Sequence, residues 1–255
     1  MPEAAGLFYE HRSGGPSATG RPPLVLIHGA GGARLYWPPK LRRLQGWAVY
    51  ALDLPGHGDS PGPGQSTIIG YRQAIEAWAD ALGLPPVVAV GHSMGGAIAL
   101  SLALDAPARV AGLVLVGTGA RLRVHPMLLE ATCLDDAGAE VLMSAWYSSA
   151  SSPRMRDLAA RSLQATDFAV LHGDFMACDG FDVMDRLGAI GQRALVVVGE
   201  NDQMTPVKYA RYLADHMGRA WLEIVPGAGH MVMLEQPAAV EKILTDWLAG
   251  IFLPG

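Results

Sequence analysis

A serine between two glycines stands where one apolar run gives way to another. The pentad Gly91-His-Ser93-Met-Gly95 follows the β-branched run at 87–90 and precedes an alanine- and leucine-rich segment that ends near Leu104. This pattern predicts a strand, a sharp glycine-bounded turn and a helix. Such a turn exposes the Ser93 hydroxyl, and the helix directs its free N–H groups and positive dipole end toward it. Negative charge that develops there is stabilised, so acyl transfer is the chemistry that this serine is suited to.

A serine hydroxyl is a weak nucleophile near neutral pH, so it needs a base that accepts its proton and a group that orients the base. Two segments supply candidates: Gly199-Glu-Asn-Asp202 after the apolar run 194–198, and Gly227-Ala-Gly-His230 after the run 220–225. Because the carboxyl ends of parallel strands share one edge of a sheet, we expect Asp202 and His230 to lie beside Ser93. Glu200 is a rival acid in the same loop. Alternatively, both acids are loop residues and one of them caps the following helix.

The elements that must position these residues alternate along the chain. Apolar runs at 23–27, 47–54, 87–90, 110–116, 194–198 and 220–225 predict strands, whereas apolar residues at helical spacing predict helices at 37–45, 67–82, 207–217 and 238–248. Such alternation indicates an α/β fold with a mostly parallel sheet covered by helices on both faces. With weaker N-terminal strands, the sheet has about eight strands.

Between Gly119 and Gly191 this alternation stops. No strong strand candidate occurs there, and amphipathic segments at 127–146 and 155–175 predict helices. A structureless loop of this length is uncommon, so we expect a helical cap at 119–191, inserted into a core formed by residues 1–118 and 192–255. Most of its large apolar side chains are expected to form the cap's own core, and a minority to line a pocket: Met127, Leu128, Leu129, Met143, Trp146, Tyr147, Phe168, Leu171, Phe175, Met176 and Phe181.

The composition narrows the classes of function. The 255 residues are half apolar and 17% charged, which is typical of a globular protein with a sizeable core. A net charge of -5 and the lack of basic runs argue against a nucleic-acid partner. Without a secretory signal or a membrane-length apolar stretch, we expect a cytoplasmic protein with no membrane span. Cys133 and Cys178 are far apart in the sequence and are expected to be buried free thiols.

Five motifs together resemble the α/β-hydrolase superfamily with an inserted cap. They occur in that family's order over nearly the whole chain: His28-Gly-Ala-Gly-Gly, Asp53-Leu-Pro-Gly-His-Gly-Asp-Ser, Gly91-His-Ser-Met-Gly-Gly, Gly199-Glu-Asn-Asp and Gly227-Ala-Gly-His. The order of nucleophile, acid and base along the chain is also that of the family. The resemblance implies that Asp202, rather than Glu200, is the acid and that His230 is the base.

The same resemblance implies an oxyanion hole formed by the backbone N–H groups of Ala30 and Met94. The remaining histidines of the motifs, His28, His57 and His92, are expected to be structural. No metal ion or organic cofactor is expected.

Two other classes of protein are alternatives to a serine hydrolase. A dinucleotide-binding loop does not fit, because Gly29-Ala-Gly31 would need a small residue at position 34, where Arg34 stands, and no Gly-Lys-Ser/Thr motif follows. A non-catalytic receptor for a small ligand stays open, since members of the superfamily with a complete triad include receptors.

Among the enzymes of the superfamily, Ser93 argues against dehalogenases and epoxide hydrolases, which place an aspartate at this turn. Carbon–carbon hydrolases usually carry Asn before the serine, where this chain has His92. The sequence therefore favours a serine carboxylesterase with a small-molecule ester substrate of small to medium acyl length. A lactonase or a carbon–carbon hydrolase is the alternative within the fold, and the cap at 119–191 is expected to choose the substrate.

Overall fold

Eight strands form one sheet in the order β1-β2-β4-β3-β5-β6-β7-β8, which confirms the predicted α/β architecture. The computed structural model describes residues 2–15, 20–132, 146 and 167–252. Cys133, Met143, Tyr147 and much of both predicted cap helices lie outside these residues. The strands are β1 (Glu3–Ala4), β2 (Leu7–Arg12), β3 (Leu24–Ile27), β4 (Val49–Leu52), β5 (Val87–His92), β6 (Val110–Val116), β7 (Ala194–Gly199) and β8 (Ala220–Val225).

The sheet is parallel from β4 to β8, and only β1 and β2 run antiparallel to their neighbours. Strand β3 lies between β4 and β5, with Leu26 opposite both Ala51 and Val90. The chain thus changes its direction of winding at β3, and the loops that follow β3 and β5 meet at the carboxyl edge. Ligands of open α/β sheets bind at this kind of switch point.

Each central strand supplies side chains to two separate cores. In β5, Ala89 packs into the cluster on one face of the sheet, whereas Val88 and Val90 pack into the cluster on the other face. Because successive side chains of a strand point to opposite faces, a strand that is covered on both sides has to be apolar throughout. This explains why the predicted strands appear as uninterrupted apolar runs.

Helices cover both faces of the sheet. They are α1 (Pro39–Arg42), α2 (Ile68–Ala81), α3 (Met94–Asp105), α4 (Pro126–Ala131), α5 (Phe168–Asp179), α6 (Val207–His216), α7 (Val232–Glu235) and α8 (Pro237–Phe252). Thr67 caps α2 by accepting the Gly70 N–H at 3.1 Å, the role expected of a threonine at a helix start. None of the helices in the described ranges is both long and apolar enough to cross a membrane.

The predicted helix at 37–45 is wrong in extent, since α1 spans only Pro39–Arg42. Trp37 and Pro38 are extended, with ψ angles of 124° and 146°, because a residue that precedes proline is excluded from the helical region. The helix ends at Arg42, and the next residue, Arg43, has a φ of -127°. The other predicted helices of the core agree with the structure to within a few residues at their ends.

The two ends of the 119–191 segment meet beside the core. Val183 N–H donates to the Ala120 carbonyl at 2.8 Å, and Arg121 forms an ion pair with Asp182 at 2.5 Å. These contacts pair the stretch of chain that leaves the sheet after β6 with the stretch that returns toward β7. In the described part of this segment, Trp146, Leu171, Phe175 and Phe181 are buried, whereas Met127 and Met176 are exposed.

Candidate active site

Ser93 occupies a strained backbone position at the junction of β5 and α3. Its φ of 52° and ψ of -117° lie in a region that non-glycine residues rarely adopt. The surrounding backbone fixes this conformation: Ser93 N–H donates to the Val116 carbonyl at 2.9 Å, and its carbonyl accepts the Thr118 hydroxyl at 2.8 Å. The turn is therefore tied to the end of β6, the adjacent strand.

Glycine is required on both sides of this serine. A Cβ on Gly91 would overlap the carbonyl of Gly95, and a Cβ on Gly95 would overlap the carbonyl of Ile27 at the end of β3. Helix α3 thus crosses the ends of β3 and β5 at backbone contact. This close approach brings the Ser93 turn beside the loop that follows β3.

Asp202 and His230 form a buried pair on the loops after β7 and β8. His230 Nδ1 lies 3.0 Å from Asp202 Oδ2 and 3.1 Å from Oδ1. Thr205 donates its backbone N–H to Oδ1 at 2.9 Å and its hydroxyl to Oδ2 at 2.8 Å. Burial raises the pKa of Asp202, but the charge and hydrogen bond of His230 and the Thr205 donors outweigh that effect and hold the pKa below its ordinary value.

The loops after β7 and β8 are joined by a backbone hydrogen bond as well as by the Asp202–His230 pair. Asn201 N–H donates to the Ala228 carbonyl at 2.8 Å. Glu200, the rival acid, instead accepts the Gly227 N–H at 3.1 Å. The structure therefore brings Asp202, and not Glu200, to His230.

His92 and His28 support the backbone of the site. The ring Nε2 of His92 donates to the carbonyl of His230 at 3.0 Å. Burial, together with the charge of His230, lowers the pKa of His92 to about 3, so the ring is neutral. His28 accepts the Leu54 N–H at 3.0 Å through Nε2, and burial also lowers its pKa well below the ordinary value. Neither ring is placed to carry a proton at neutral pH.

The loop after β3 approaches Ser93 directly. A Cβ on Gly29 would lie 3.1 Å from the Ser93 Cβ, so the Gly29–Ala30 peptide adjoins the serine. A turn closes this loop, with Gly32 N–H donating to the Gly29 carbonyl at 3.1 Å. Met94 is the first residue of α3, and an N–H in the first turn of a helix has no intrahelical acceptor. Ala30 and Met94, whose N–H groups are predicted to form an oxyanion hole, therefore both lie next to Ser93.

A cavity of about 430 Å³ contains Ser93, His230 and Ala30 in its lining. The 119–191 segment supplies much of the remaining wall, with the polar Arg123 and His125 beside the apolar side chains Leu122, Val124, Met127, Leu128, Trp146 and Phe175. A pocket that combines apolar walls with a few convergent polar groups is typical of a small-molecule site. In the described ranges, no group of three or more His, Cys, Asp or Glu side chains is placed to hold a metal ion.

Three side chains around the site were not anticipated from the sequence. Thr205 follows Asp202 by three residues and precedes Pro206, so the local pattern of an acid, a threonine and a helix start was a usable signal. Thr118, which holds the Ser93 carbonyl, gives no such signal. Asp174 lies on α5 and is fully buried, although its neighbours in the sequence do not distinguish it from a surface residue.

Comparison with known proteins places the chain in a family. The profile of the Alpha/beta hydrolase family matches residues 24–243. A putative carbamate hydrolase, RutD, from Variovorax paradoxus is 31% identical, with 91% of this chain and 93% of that protein covered. A pimeloyl-[acyl-carrier protein] methyl ester esterase from Neisseria meningitidis is 28% identical over 89% of this chain and 94% of its own length.

A solved structure of a thermophilic esterase matches with a TM-score of 0.81 and 33% identity, covering 96% of this chain and 98% of that one. The family profile spans most of the chain, and the sheet order and the site geometry fit the same fold. The chain therefore belongs to the alpha/beta hydrolase family.

Proposed function

We propose that this protein is a serine hydrolase that cleaves small to medium carboxylic esters through an acyl-enzyme on Ser93. The observation that supports this most strongly is the buried pair of Asp202 and His230, 3.0 Å apart, of which His230 lines the same cavity as the strained Ser93. A nucleophile, a base and an oriented acid on loops of one sheet edge are what acyl transfer requires.

In the proposed mechanism, His230 accepts the Ser93 proton through Nε2 while the hydroxyl oxygen attacks the ester carbonyl. Asp202 holds the Nδ1–H tautomer and stabilises the imidazolium that forms. The Ala30 and Met94 N–H groups donate to the carbonyl oxygen as it becomes negative; each such donor contributes about 3 kcal/mol. His230 then protonates the leaving alcohol, and it later activates the water that releases the acid.

We propose further that residues 119–191 form a cap over a core made of residues 1–118 and 192–255. Helices α4 and α5 supply Met127, Leu128 and Phe175 to the cavity that contains Ser93. Their apolar side chains suit an acyl or alcohol group of modest length, since burial of each CH₂ group contributes about 0.8 kcal/mol. This cap would select the substrate, whereas the core would supply the chemistry.

Carbamate hydrolysis is the second candidate. It is favoured by relatives of 29–31% identity from Variovorax and Caulobacter that are named putative carbamate hydrolases. A carbamate carbonyl would be attacked by the same serine and would give a carbamoyl-enzyme, so only the substrate distinguishes the two proposals.

A panel of substrates tests the assignment. It contains p-nitrophenyl esters of two to ten carbons, a lactone, an aryl carbamate and an enol-ketone for carbon–carbon cleavage. We expect the highest kcat/KM for a short or medium ester. A higher kcat/KM for the carbamate, the lactone or the enol-ketone would replace the ester proposal with the corresponding class.

Ser93→Ala removes the nucleophile while keeping a side chain of similar size. We expect kcat for the best ester to fall by about 10⁴-fold or more, because removal of a triad serine abolishes covalent catalysis. The melting temperature should stay within about 3 °C, which is the shift that about 1 kcal/mol produces in a domain of this size.

Retained turnover in Ser93→Ala would rule out the acyl-enzyme mechanism. If the folded wild-type protein neither hydrolyses the panel nor reacts with a serine-directed phosphonate, the site would be that of a receptor for a small ligand.

A further inference from the structure

Asp174 of α5 is a fully buried carboxylate outside the proposed catalytic machinery. Three donors from the core surround it: Gly31 N–H at 2.8 Å, His57 Nε2 at 2.8 Å and the Tyr71 hydroxyl. These donors belong to the loop after β3, to the loop after β4 and to α2. One side chain of the 119–191 segment therefore joins three separate parts of the core.

The hydrogen-bond partners define the protonation of this cluster. His57 has an oxygen beside each ring nitrogen, the Pro55 carbonyl 3.0 Å from Nδ1 and Asp174 at Nε2, so a protonated ring would donate to both oxygens. The Tyr71 oxygen accepts the Gln65 N–H at 2.9 Å, which leaves its own proton for Asp174. The geometry thus suits an imidazolium that donates to Asp174.

The pKa of His57 agrees with this arrangement. Burial lowers it, but the hydrogen bond and the negative charge of Asp174 outweigh burial and leave the pKa above its ordinary value. Because three donors hold the Asp174 carboxylate, its position is fixed, and it can in turn fix the position of the Gly31 backbone that it binds.

That backbone is the loop of the proposed oxyanion hole. Gly31 directly follows Ala30, and its φ of 60° is a conformation that glycine adopts without strain. Helix α5 contacts Gly31 a second time through Leu171, whose Cδ1 would lie 2.9 Å from a Cβ on Gly31. Leu171 and Asp174 are three residues apart, so one face of α5 supports the loop with a packing contact and a hydrogen bond.

We propose that Asp174 is a positioning residue for the oxyanion loop, which fixes Gly31 and so directs the Ala30 N–H toward the carbonyl under attack. This inference rests on the proposed function of Ser93. It implies that docking of α5 on the core sets the rate of acyl transfer and not only the choice of substrate.

The variant Asp174→Ala tests the proposal. We expect kcat for an ester to fall by about 10- to 100-fold with KM changed by less than about threefold, because the loop affects the transition state more than the bound ester. The affinity for an alkyl trifluoromethyl ketone, whose adduct with serine carries an oxyanion, should fall by a similar factor.

Asp174→Asn keeps an oxygen that can accept the Gly31 N–H, so it should recover part of the lost kcat. The matched control is Asp167→Asn at the start of the same helix, where the side chain caps α5 and kcat should stay within twofold of wild type. Circular dichroism verifies that each variant is folded.

A folded Asp174→Ala variant with wild-type kcat, or with reduced kcat but unchanged ketone affinity, would overturn the proposal. If Asp174→Ala does not fold, Tyr71→Phe carries the test: it removes one donor to Asp174, and we expect kcat and ketone affinity to fall together by about three- to tenfold. Unchanged values would overturn the proposal. Failure of the proposed function would differ from all of these, since wild type itself would then lack activity and ketone binding.

Discussion

The two oxygens of the Asp202 carboxylate have different donors. Both oxygens lie near His230 Nδ1, but Oδ1 also accepts the backbone N–H groups of Met204 and Thr205, both at 2.9 Å, whereas Oδ2 also accepts the Thr205 hydroxyl. An asparagine would therefore keep its oxygen on the backbone donors and present its NH₂ group to His230. His230 would then accept at Nδ1 and hold its proton on Nε2, the tautomer that cannot act as a base.

From this geometry we expect Asp202→Asn to lower kcat by about 10³- to 10⁴-fold, the loss that follows when the triad histidine is held in the wrong tautomer. Glu200→Gln is the matched control, since a glutamine oxygen can still accept the Gly227 N–H, and its kcat should stay within about threefold of wild type. Steady-state ester hydrolysis measures both. A larger loss in Glu200→Gln would transfer the acid role to Glu200.

At the scale of single residues, the sequence predicted side chains that follow strand ends but not those that act across the fold. Asp202 and His230 could be located because they stand in glycine-rich segments directly after apolar runs. Asp174 is 117 positions from its partner His57 and lies on a helix of mixed composition. No local sequence pattern predicts that this carboxylate is buried, because its burial depends on where α5 packs against the core.

Among the elements, helix α3 is packed so closely on the ends of β3 and β5 that their backbones are in contact. A Cβ on Gly95 would overlap two consecutive backbone carbonyls, those of Ile27 and His28. Backbone atoms cannot move aside as the end of a flexible side chain can. The strand, turn and helix around Ser93 are thus one rigid unit packed on β3, which explains how a strained serine conformation is maintained.

Accordingly, Gly95→Ala should destabilise the fold by about 3 kcal/mol or more, at the upper end of the cost of overpacking. Gly188→Ala is the control: a Cβ there meets nothing within 4 Å, and the change should be neutral or stabilise by up to about 1 kcal/mol. Urea unfolding followed by circular dichroism gives both free energies. A Gly95→Ala variant within 1 kcal/mol of wild type would contradict the rigid-unit description.

The strands were predicted well because a strand covered on both faces must be apolar throughout. Short elements were harder to predict, and α1 is an example. The apolar residues around 37–45 suggested a helix, but the consecutive prolines Pro38 and Pro39 restrict the chain before them to extended conformations. Trp37 and Leu41 are apolar because they pack in the core, and this packing does not require a long helix.

For the molecule as a whole, the connection between the 119–191 segment and the core includes a buried charge pair. The pKa of His57 is raised in the folded state by the hydrogen bond and charge of Asp174, so its contribution to stability is fully present below its unfolded pKa of about 6.5. That contribution is lost as the pH rises through the folded pKa. The other titratable or charged groups that face the His57–Asp174 pair are His28, Asp53, Tyr71 and Cys178.

We therefore expect Asp174→Asn to cost about 3 kcal/mol of unfolding free energy near pH 6, as for other broken buried pairs. This difference from wild type should shrink as the pH rises above about 6.5, because wild type loses the His57 contribution as the pH passes through the raised folded-state pKa. Urea titrations at several pH values measure it. A difference that is constant or grows with pH would show that His57 is neutral in the folded protein.

The two halves of the site also leave the ribosome at different times. Ser93 follows the central strand β5, whereas its proposed base, His230, stands 137 positions later, beyond the 119–191 segment. At about 5–20 residues per second, synthesis of that interval takes roughly 7–27 seconds. During that time a nascent chain carries the serine without a partner to deprotonate it. Because the 119–191 segment lies between β6 and β7, it lengthens the interval in which Ser93 is present without its proposed base.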